Sequence, residues 1–326
     1  MAPLLEVKDL HVEFTTRDGI VKAVNGITFS LEEGKVLTIL GESGSGKSVT
    51  LRSLVRLLPK VRTRLTGEVW IKGTNLYELP ERDVQDIRGS LISMIFQEPM
   101  TALDPVYTVG EQIVETLVRH QHMSREQARQ RALELLEIVQ IPSPERRLKS
   151  YPHELSGGMR QRAMIAIALA CNPELLLADE PTTALDVTVQ AQILYLLREL
   201  KERLGMAVIF VTHDLGVAAE IADEVAVMYA GRIVEYGPVR QVLTEPAHPY
   251  TKGLMNATVH RGMKGQDLIP IPGQPPDLTR LPVGCSFAPR CAVVHDPCHA
   301  DFPDEYRLSP VHMARCFLLK GAPKTC

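Results

Sequence analysis

The chain opens on alternation. Leu5, Val7, Leu10, Val12 and Phe14 are interleaved with polar residues, and beyond a turn at Asp18–Gly19 a similar pattern runs from Val21 to Leu31. A period of two marks half-buried strands, so residues 1–35 are expected to form short alternating strands. From Val36 onward the alternation gives way to continuous apolar runs, Val36–Leu40, Leu91–Phe96, Leu175–Ala178 and Ala207–Thr212, with helical patterns between them. Such runs argue for strands covered on both faces, hence a largely parallel α/β sheet. Helices are expected over Ser48–Leu58, Val109–His120 and Ala128–Val139, the last opened by a capping-box pattern at Ser124-Arg-Glu-Gln. The segment 98–160 therefore reads as a helical insertion between two α/β stretches. Beyond residue 245, Pro246, Pro249, Pro270, Pro272, Gly273, Pro275, Pro276 and Pro282 argue against long helices. A loop-rich appendage of that kind needs a staple.

Composition narrows this little. At 326 residues the chain exceeds one typical domain, and one large domain with a smaller one is the expectation. Hydrophobic content of 45% and charged content of 23% are ordinary for a globular protein, and a formal charge of −3 gives no general attraction to nucleic acid. One basic cluster, Arg52, Arg56, Lys60, Arg62 and Arg64, reads as a solvated helix face. The longest apolar run, Ala163–Cys171, is about half of the roughly 20 residues that a membrane-spanning helix needs. The first residues lack a basic segment followed by an apolar core, so no signal peptide is expected. The expectation is a cytoplasmic chain whose membrane association runs through a partner.

The chemistry sits where apolar runs end. Val36–Leu40 leads into Gly41-Glu42-Ser43-Gly44-Ser45-Gly46-Lys47-Ser48, a phosphate-cradling loop that opens a helix with Val49 in its first turn. Its glycines let backbone N–H groups curl around phosphate oxygens, and the helix N-terminus adds partial positive charge. Lys47 would reach the β- and γ-phosphates, and Ser48 would help hold Mg²⁺. The other three runs end in Gln97, in Asp179–Glu180 and in His213. Open α/β sheets bind ligands at the carboxyl ends of their strands, so one nucleotide could meet all four. Asp179 suits Mg²⁺, a hard cation; Glu180 could polarise an attacking water, and His213 could hold that water in line. A second anion site is expected at Leu155-Ser156-Gly157-Gly158-Met159-Arg160-Gln161, again before a helical run. One phosphate chain does not need two cradles from one subunit. The economical reading is two ATPase domains face to face, each completing the other's site.

In order and spacing, Gly41–Ser48, Gln97, Leu155–Gln161, Leu175–Glu180, Ala184-Leu185-Asp186 and His213 resemble the ATP-binding cassette (ABC) ATPases over about residues 4–255. The resemblance implies a P-loop NTPase fold with a RecA-like parallel-sheet core, an N-terminal antiparallel β-subdomain and a helical subdomain. On this chain the core with its β-subdomain would be 1–97 and 161–245, the helical subdomain 98–160, and a C-terminal extension 246–326. It also implies a head-to-tail dimer in which Gln97 senses Mg²⁺ and γ-phosphate, Asp179 holds the metal, Glu180 is the catalytic base and His213 the switch. Phe14 sits where the family places an adenine-stacking aromatic. The tail resembles that of oligopeptide and dipeptide importer ATPases, through His248-Pro249-Tyr250-Thr251, Ile269–Pro276 and Gly284–Cys291. Nickel importers carry relatives of it, and a non-transport ABC ATPase acting on nucleic acid or ribosomes is the other alternative. The implied partners are a second ATPase subunit of different sequence, two membrane permease subunits and an extracytoplasmic binding protein, without nucleic acid. The implied place is peripheral, on the cytoplasmic face of the inner membrane.

Five of the six cysteines crowd the tail. Cys285, Cys291, Cys298 and Cys316 are separated by five, six and seventeen residues, without the short CxxC of zinc ribbons. Clustered cysteines in a cytoplasmic protein favour metal over disulfides. Four thiolates at wide spacing suit a [4Fe–4S] cluster, which the resemblance to peptide importers also implies, in a structural role. Zinc, disulfides or free thiols are the alternatives, and His295, His299 and His312 are possible substitute ligands. Cys171 is expected to be a small buried hydrophobe and Cys326 a free bystander.

Overall fold

The computed structural model describes residues 3–183, 185–257 and 269–320. They divide into two compact units, one built from Met1–Leu4, Glu32–Lys35 and Glu78–Val211, the other from Leu5–Leu31, Val36–Tyr77 and Thr212–Cys326. Ala184 and Cys326, both singled out above, lie outside the described residues.

The second unit begins with two long strands, Leu5–Thr16 and Gly19–Leu31, where short ones were expected; they pair antiparallel from Thr16↔Gly19 to Leu5↔Leu31. Register shifts after Val7, Leu10 and Val12 keep the apolar side chains on the buried face despite the length. Strand Thr63–Ile71 pairs antiparallel with the first, and Thr74–Asn75 completes a four-stranded sheet. That third strand was missed, because its outer half, Thr63–Glu68, is largely exposed and carries no apolar run. It also corrects the reading of the basic cluster. The helix after the phosphate loop is Lys47–Leu54 and ends before Arg56, whose φ is 53°. Lys60 and Arg62 lie on a 3₁₀ turn and Arg64 on the third strand, so these cations are spread over three elements rather than one helix face.

The same unit holds a second sheet segment in the order His312–Ala314, Arg232–Pro238, Glu224–Tyr229, Val36–Leu40. Val36–Leu40 and Glu224–Tyr229 run parallel, and Tyr306–Ser309 adds an outer antiparallel strand to His312–Ala314. The C-terminal extension thus continues the sheet, with Glu235 opposite Ala314 and Tyr236 opposite Met313. It also shares a core: Tyr229, Tyr250 and Phe287 are buried with Leu40, Val225, Val227 and Val234. The Tyr229–Phe287 ring pair is edge-on at 5.2 Å and Tyr229–Tyr250 tilted at 4.6 Å. Each buried ring of this kind contributes on the order of 1.5–3 kcal/mol. The tail therefore has hydrophobic packing of its own beyond any staple.

A polar network locks it. Glu235 is fully buried and accepts from the amides of Ala247 (2.8 Å) and His248 (2.9 Å), with His312 Nε2 2.9 Å from the same carboxylate. Burial alone would raise this carboxyl, but the bonds from His312, Ala247 and His248 help to outweigh it and hold it below the ordinary carboxylate range. His248 Nδ1 accepts from the Tyr250 amide at 3.0 Å, and burial pushes this imidazole down to about 4. The unfolded chain therefore takes up a proton on His248 that the folded chain refuses, and stability is lost as pH falls from 6.5 through about 4. Across that window the loss is on the order of 3 kcal/mol, and below it Glu235 adds to the loss with the same sign. Calorimetric melting at a series of pH values checks this; a midpoint that stays flat over the window contradicts it.

The first unit contains three parallel strands, Ile92–Ile95, Leu175–Asp179 and Ala207–Thr212, paired from Ile92↔Leu175 and Leu175↔Ala207; the last of them runs on by one residue into the second unit. Helices Val109–Gln121 and Arg125–Ile138 both begin with complete capping boxes, at Thr108/Glu111 and Ser124/Gln127. Helix Gly157–Leu169 packs against them, with Arg162 donating to the Val139 carbonyl at 2.7 Å. Cys171 is buried, as expected, and burial raises its thiol.

Candidate nucleotide site and thiol pocket

In the second unit the phosphate loop links strand Val36–Leu40 to helix Lys47–Leu54. Gly46 has φ 104°, and a Cβ there would overlap the Ala23 carbonyl oxygen, so glycine is required on both counts. Lys47 is 4% exposed, and its Nζ donates to the carbonyls of Gly41 (2.8 Å) and Glu42 (3.0 Å). The loop is held from outside as well. The Tyr250 hydroxyl accepts from the Glu42 amide at 2.9 Å, the Gly231 amide donates to the Ser45 carbonyl at 2.9 Å, and Arg290 reaches the Glu42 carboxylate. Ser43 and Gly44 stay on the rim, beside Pro275, Pro276 and Leu278 of the extension. Val49 is half-buried on the helix behind. Phe14 is half-buried at the end of its strand and lines an open cavity of about 520 Å³ with Arg17, Pro59 and Arg62. His213 is exposed and follows strand Ala207–Thr212, where Asp214 caps the next helix by accepting from Gly216 and Val217.

In the first unit Asp179, fully buried, is the last residue of its strand, and Glu180 follows with φ 45°. A left-handed glutamate is uncommon and costs energy, which the surrounding structure must supply. Here the Glu180 amide donates to the Val211 carbonyl at 3.1 Å, and its carboxylate accepts from the Thr183 hydroxyl at 2.9 Å and the Gln97 amide nitrogen at 3.4 Å. Gln97 and Glu180 are thus brought together, and the contact of Thr183 with the Glu180 carboxylate is one that sequence reasoning missed. Ser156 caps helix Gly157–Leu169 by accepting from Met159 at 3.3 Å, with Ser156 and Gly157 exposed. A Cβ on Gly158 would meet Val189 at 3.0 Å. Asp186 caps helix Val187–Leu204 by accepting from Val189 at 2.9 Å.

The four tail cysteines line one pocket together with His295, Phe287 and Phe317. None is in a disulfide. Burial pushes Cys285 up to about 11 and raises Cys291 and Cys316, with neighbouring thiols adding to the rise. His295 Nδ1 lies 3.5 Å from Cys298 Sγ. The other two candidate histidines fall elsewhere: His312 is committed to Glu235, and His299 is exposed and does not line the pocket. Among the described residues no group of three His, Cys, Asp or Glu is drawn tightly enough for a single metal ion.

Comparison with known proteins decides the family. The ABC transporter family matches residues 24–183, and the oligopeptide/dipeptide transporter C-terminal region matches residues 234–298. The chain is 49% identical to the dipeptide transport ATP-binding protein DppD of Bacillus subtilis, over 98% of this chain and 95% of that one. It belongs to the ABC transporter ATPases. Identity is 51% with the oligopeptide transport ATP-binding protein OppD of Salmonella typhimurium, over 96% of this chain and 93% of its relative. A dimeric solved structure of the ATP-binding cassette MJ0796 bound to ADP and Pi superimposes with a TM-score of 0.65 at 32% identity, covering 72% of this chain and 99% of that one. The ABC ATPase fold, with the expected antiparallel N-terminal sheet, and ATP hydrolysis follow for this ATPase. Among the described residues no helix is long and apolar enough to cross a membrane.

Proposed function

We propose that this ATPase powers uptake of di- and oligopeptides across a bacterial cytoplasmic membrane, docked peripherally on the inner face. The observation that carries the reading is likeness over nearly the whole length to dipeptide and oligopeptide transport ATP-binding proteins, tail included. Its partners are two permease subunits, a binding protein and a second, different ATPase chain. Coexpression with candidate permeases, followed by ATPase assays with di- and oligopeptides, tests it. Stimulation by peptide is expected; stimulation by nickel alone overturns the peptide assignment.

The proposed division of labour rests on the chemical type and charge of each group and on its place at a strand or helix end. Loop amides from Gly44 to Ser48, with Lys47, bind the β- and γ-phosphates, Lys47 exchanging its carbonyl partners for phosphate oxygens. Phe14 stacks on adenine. Glu180, held by Thr183, accepts hydrogen from the attacking water, and His213 keeps that water in line with the γ-phosphate. Ser48, Gln97 and Asp179 would each offer an oxygen of the kind that suits Mg²⁺, which when bound would neutralise charge on the transferring phosphoryl group. Ser156, Gly157 and Gly158 cap the nucleotide held by the partner subunit, and closure of the dimer drives the permeases. The helical subdomain is assigned to 98–160, between core segments 1–97 and 161–245, with 246–326 as the extension.

The thiol pocket suits a [4Fe–4S] cluster better than zinc. Four thiols, none of them in a disulfide, line one cavity, and four-thiolate ligation is the rule for such a cluster. Cys285, Cys291, Cys298 and Cys316 would hold the cluster, which supplies cross-linking of the tail. Anaerobically purified protein is expected to be brown with about four irons per chain, and Cys298→Ser to lose the colour. Stoichiometric zinc without iron overturns this assignment.

A further inference from the structure

An acid inside a phosphate cradle is an electrostatic anomaly. Glu42 follows the first glycine of the loop, and its carbonyl already receives Lys47 at 3.0 Å. A bare carboxylate there would repel the polyphosphate that the loop exists to hold. The structure shows what offsets it. Arg290 meets the Glu42 carboxylate as a two-pronged fork, Nη1 to Oε2 at 2.6 Å and Nη2 to Oε1 at 3.0 Å. Its side chain is 4% exposed against 28% for that of Glu42. Its third nitrogen, Nε, donates to the Pro272 carbonyl at 2.9 Å, and its guanidinium lies 5.8 Å from the Tyr229 ring centroid.

Arg290 comes from the C-terminal extension, 248 residues away in sequence. It sits on the 3₁₀ turn Ala288–Arg290, where the Ala288 amide donates to the Cys285 carbonyl (3.0 Å) and the Cys291 amide donates to the Ala288 carbonyl (3.2 Å). Both cysteines line the thiol pocket. A second contact from the extension falls on the same loop residue, since the Tyr250 hydroxyl accepts from the Glu42 amide.

We propose that Arg290 is a positioning residue of the nucleotide site: it masks the charge of Glu42 and fixes the start of the phosphate loop, making the C-terminal extension part of the ATP-binding machinery. The proposal rests on the ATP-binding reading of the loop, which wild-type nucleotide binding checks separately.

The test is equilibrium binding of ATP and ADP to the purified full-length chain, together with its melting temperature and steady-state ATPase kinetics. Arg290→Met strands the Glu42 charge, so ATP affinity should fall about tenfold or more, ATP more than ADP, and the loss should shrink as salt is raised. KM rises and turnover at saturating ATP changes far less. The double substitution Glu42→Gln with Arg290→Met removes both charges and should recover most of the lost affinity. Arg290→Lys, which keeps the charge and gives up the fork, should stay within about threefold of wild type. A folded Arg290→Met that binds ATP like the wild type overturns the proposal. So does a double variant that binds no better than Arg290→Met, which would reduce Arg290 to a brace for the tail. If Arg290→Met does not fold, Arg290→Lys decides: a tenfold loss equal for ATP and ADP rules out charge masking.

Discussion

Glu180→Gln is expected to bind ATP with near-native affinity and to lose turnover by roughly 10²–10⁴-fold, the range that a positioned general base contributes. The substitution is close to isosteric. An amide oxygen can still accept from Thr183, whose hydroxyl lies 2.9 Å from the carboxylate, so the left-handed turn at φ 45° should survive. What disappears is the negative charge that, in the proposed role, draws a proton from water as the new P–O bond forms. Each tenfold loss corresponds to about 1.4 kcal/mol of barrier. Single-turnover hydrolysis beside equilibrium nucleotide binding separates the two effects. Wild-type turnover in Glu180→Gln would remove this residue from catalysis. Thr183→Val is a companion: it keeps the carboxylate and loosens its aim, so a smaller loss of turnover with unchanged binding is expected.

The second large effect lies in the signature segment. Ser156 and Gly157 are exposed at the start of helix Gly157–Leu169, and a Cβ on Gly158 meets only Val189 at 3.0 Å. That contact is tight enough that Val189 must shift slightly, so the melting temperature of Gly158→Asp is measured beside its turnover; the substitution sets a carboxylate at a helix N-terminus proposed to face the partner's γ-phosphate. Turnover of the assembled pair should drop by about 10²-fold or more, in line with loss of an oxyanion-type donor site. Nucleotide affinity of the isolated subunit should be untouched, because its own phosphate loop is intact. A mixed pair with one altered subunit should lose the site opposite that subunit first. Full turnover by Gly158→Asp in the complex, or by wild-type subunits too dilute to associate, would end the shared-site reading.

Some contacts were out of reach of pattern reading because they join residues far apart. Glu42 and Arg290 each belong to a motif quoted from the sequence, yet nothing in either motif says that they meet. The clue available was chemical: an acid in an anion-binding loop calls for a cation. Thr183 went unnoticed for a different reason, since a threonine three residues after a glutamate is ordinary until the left-handed backbone turns its hydroxyl toward the carboxylate. The strand Thr63–Ile71 was hidden because its exposed half lacks apolar alternation. The histidines near the cysteines looked alike in sequence; burial against Glu235 separated His312 from the pocket.

Local chemistry was legible from the order of residues alone. Glycine at positions that need positive φ, an apolar run ending in Asp179–Glu180, a serine before two glycines and a capping box at Ser124 are each decided within a few residues, where steric and hydrogen-bonding rules act directly. Folding had to decide the long-range pairings: an extension that adds strands and aromatic rings to the core, thiols gathered from separate turns around one cavity, and an arginine delivered to a loop 248 residues earlier. Those depend on which buried charges and surfaces find partners once water is excluded, a property of the packed chain that no short window of sequence contains.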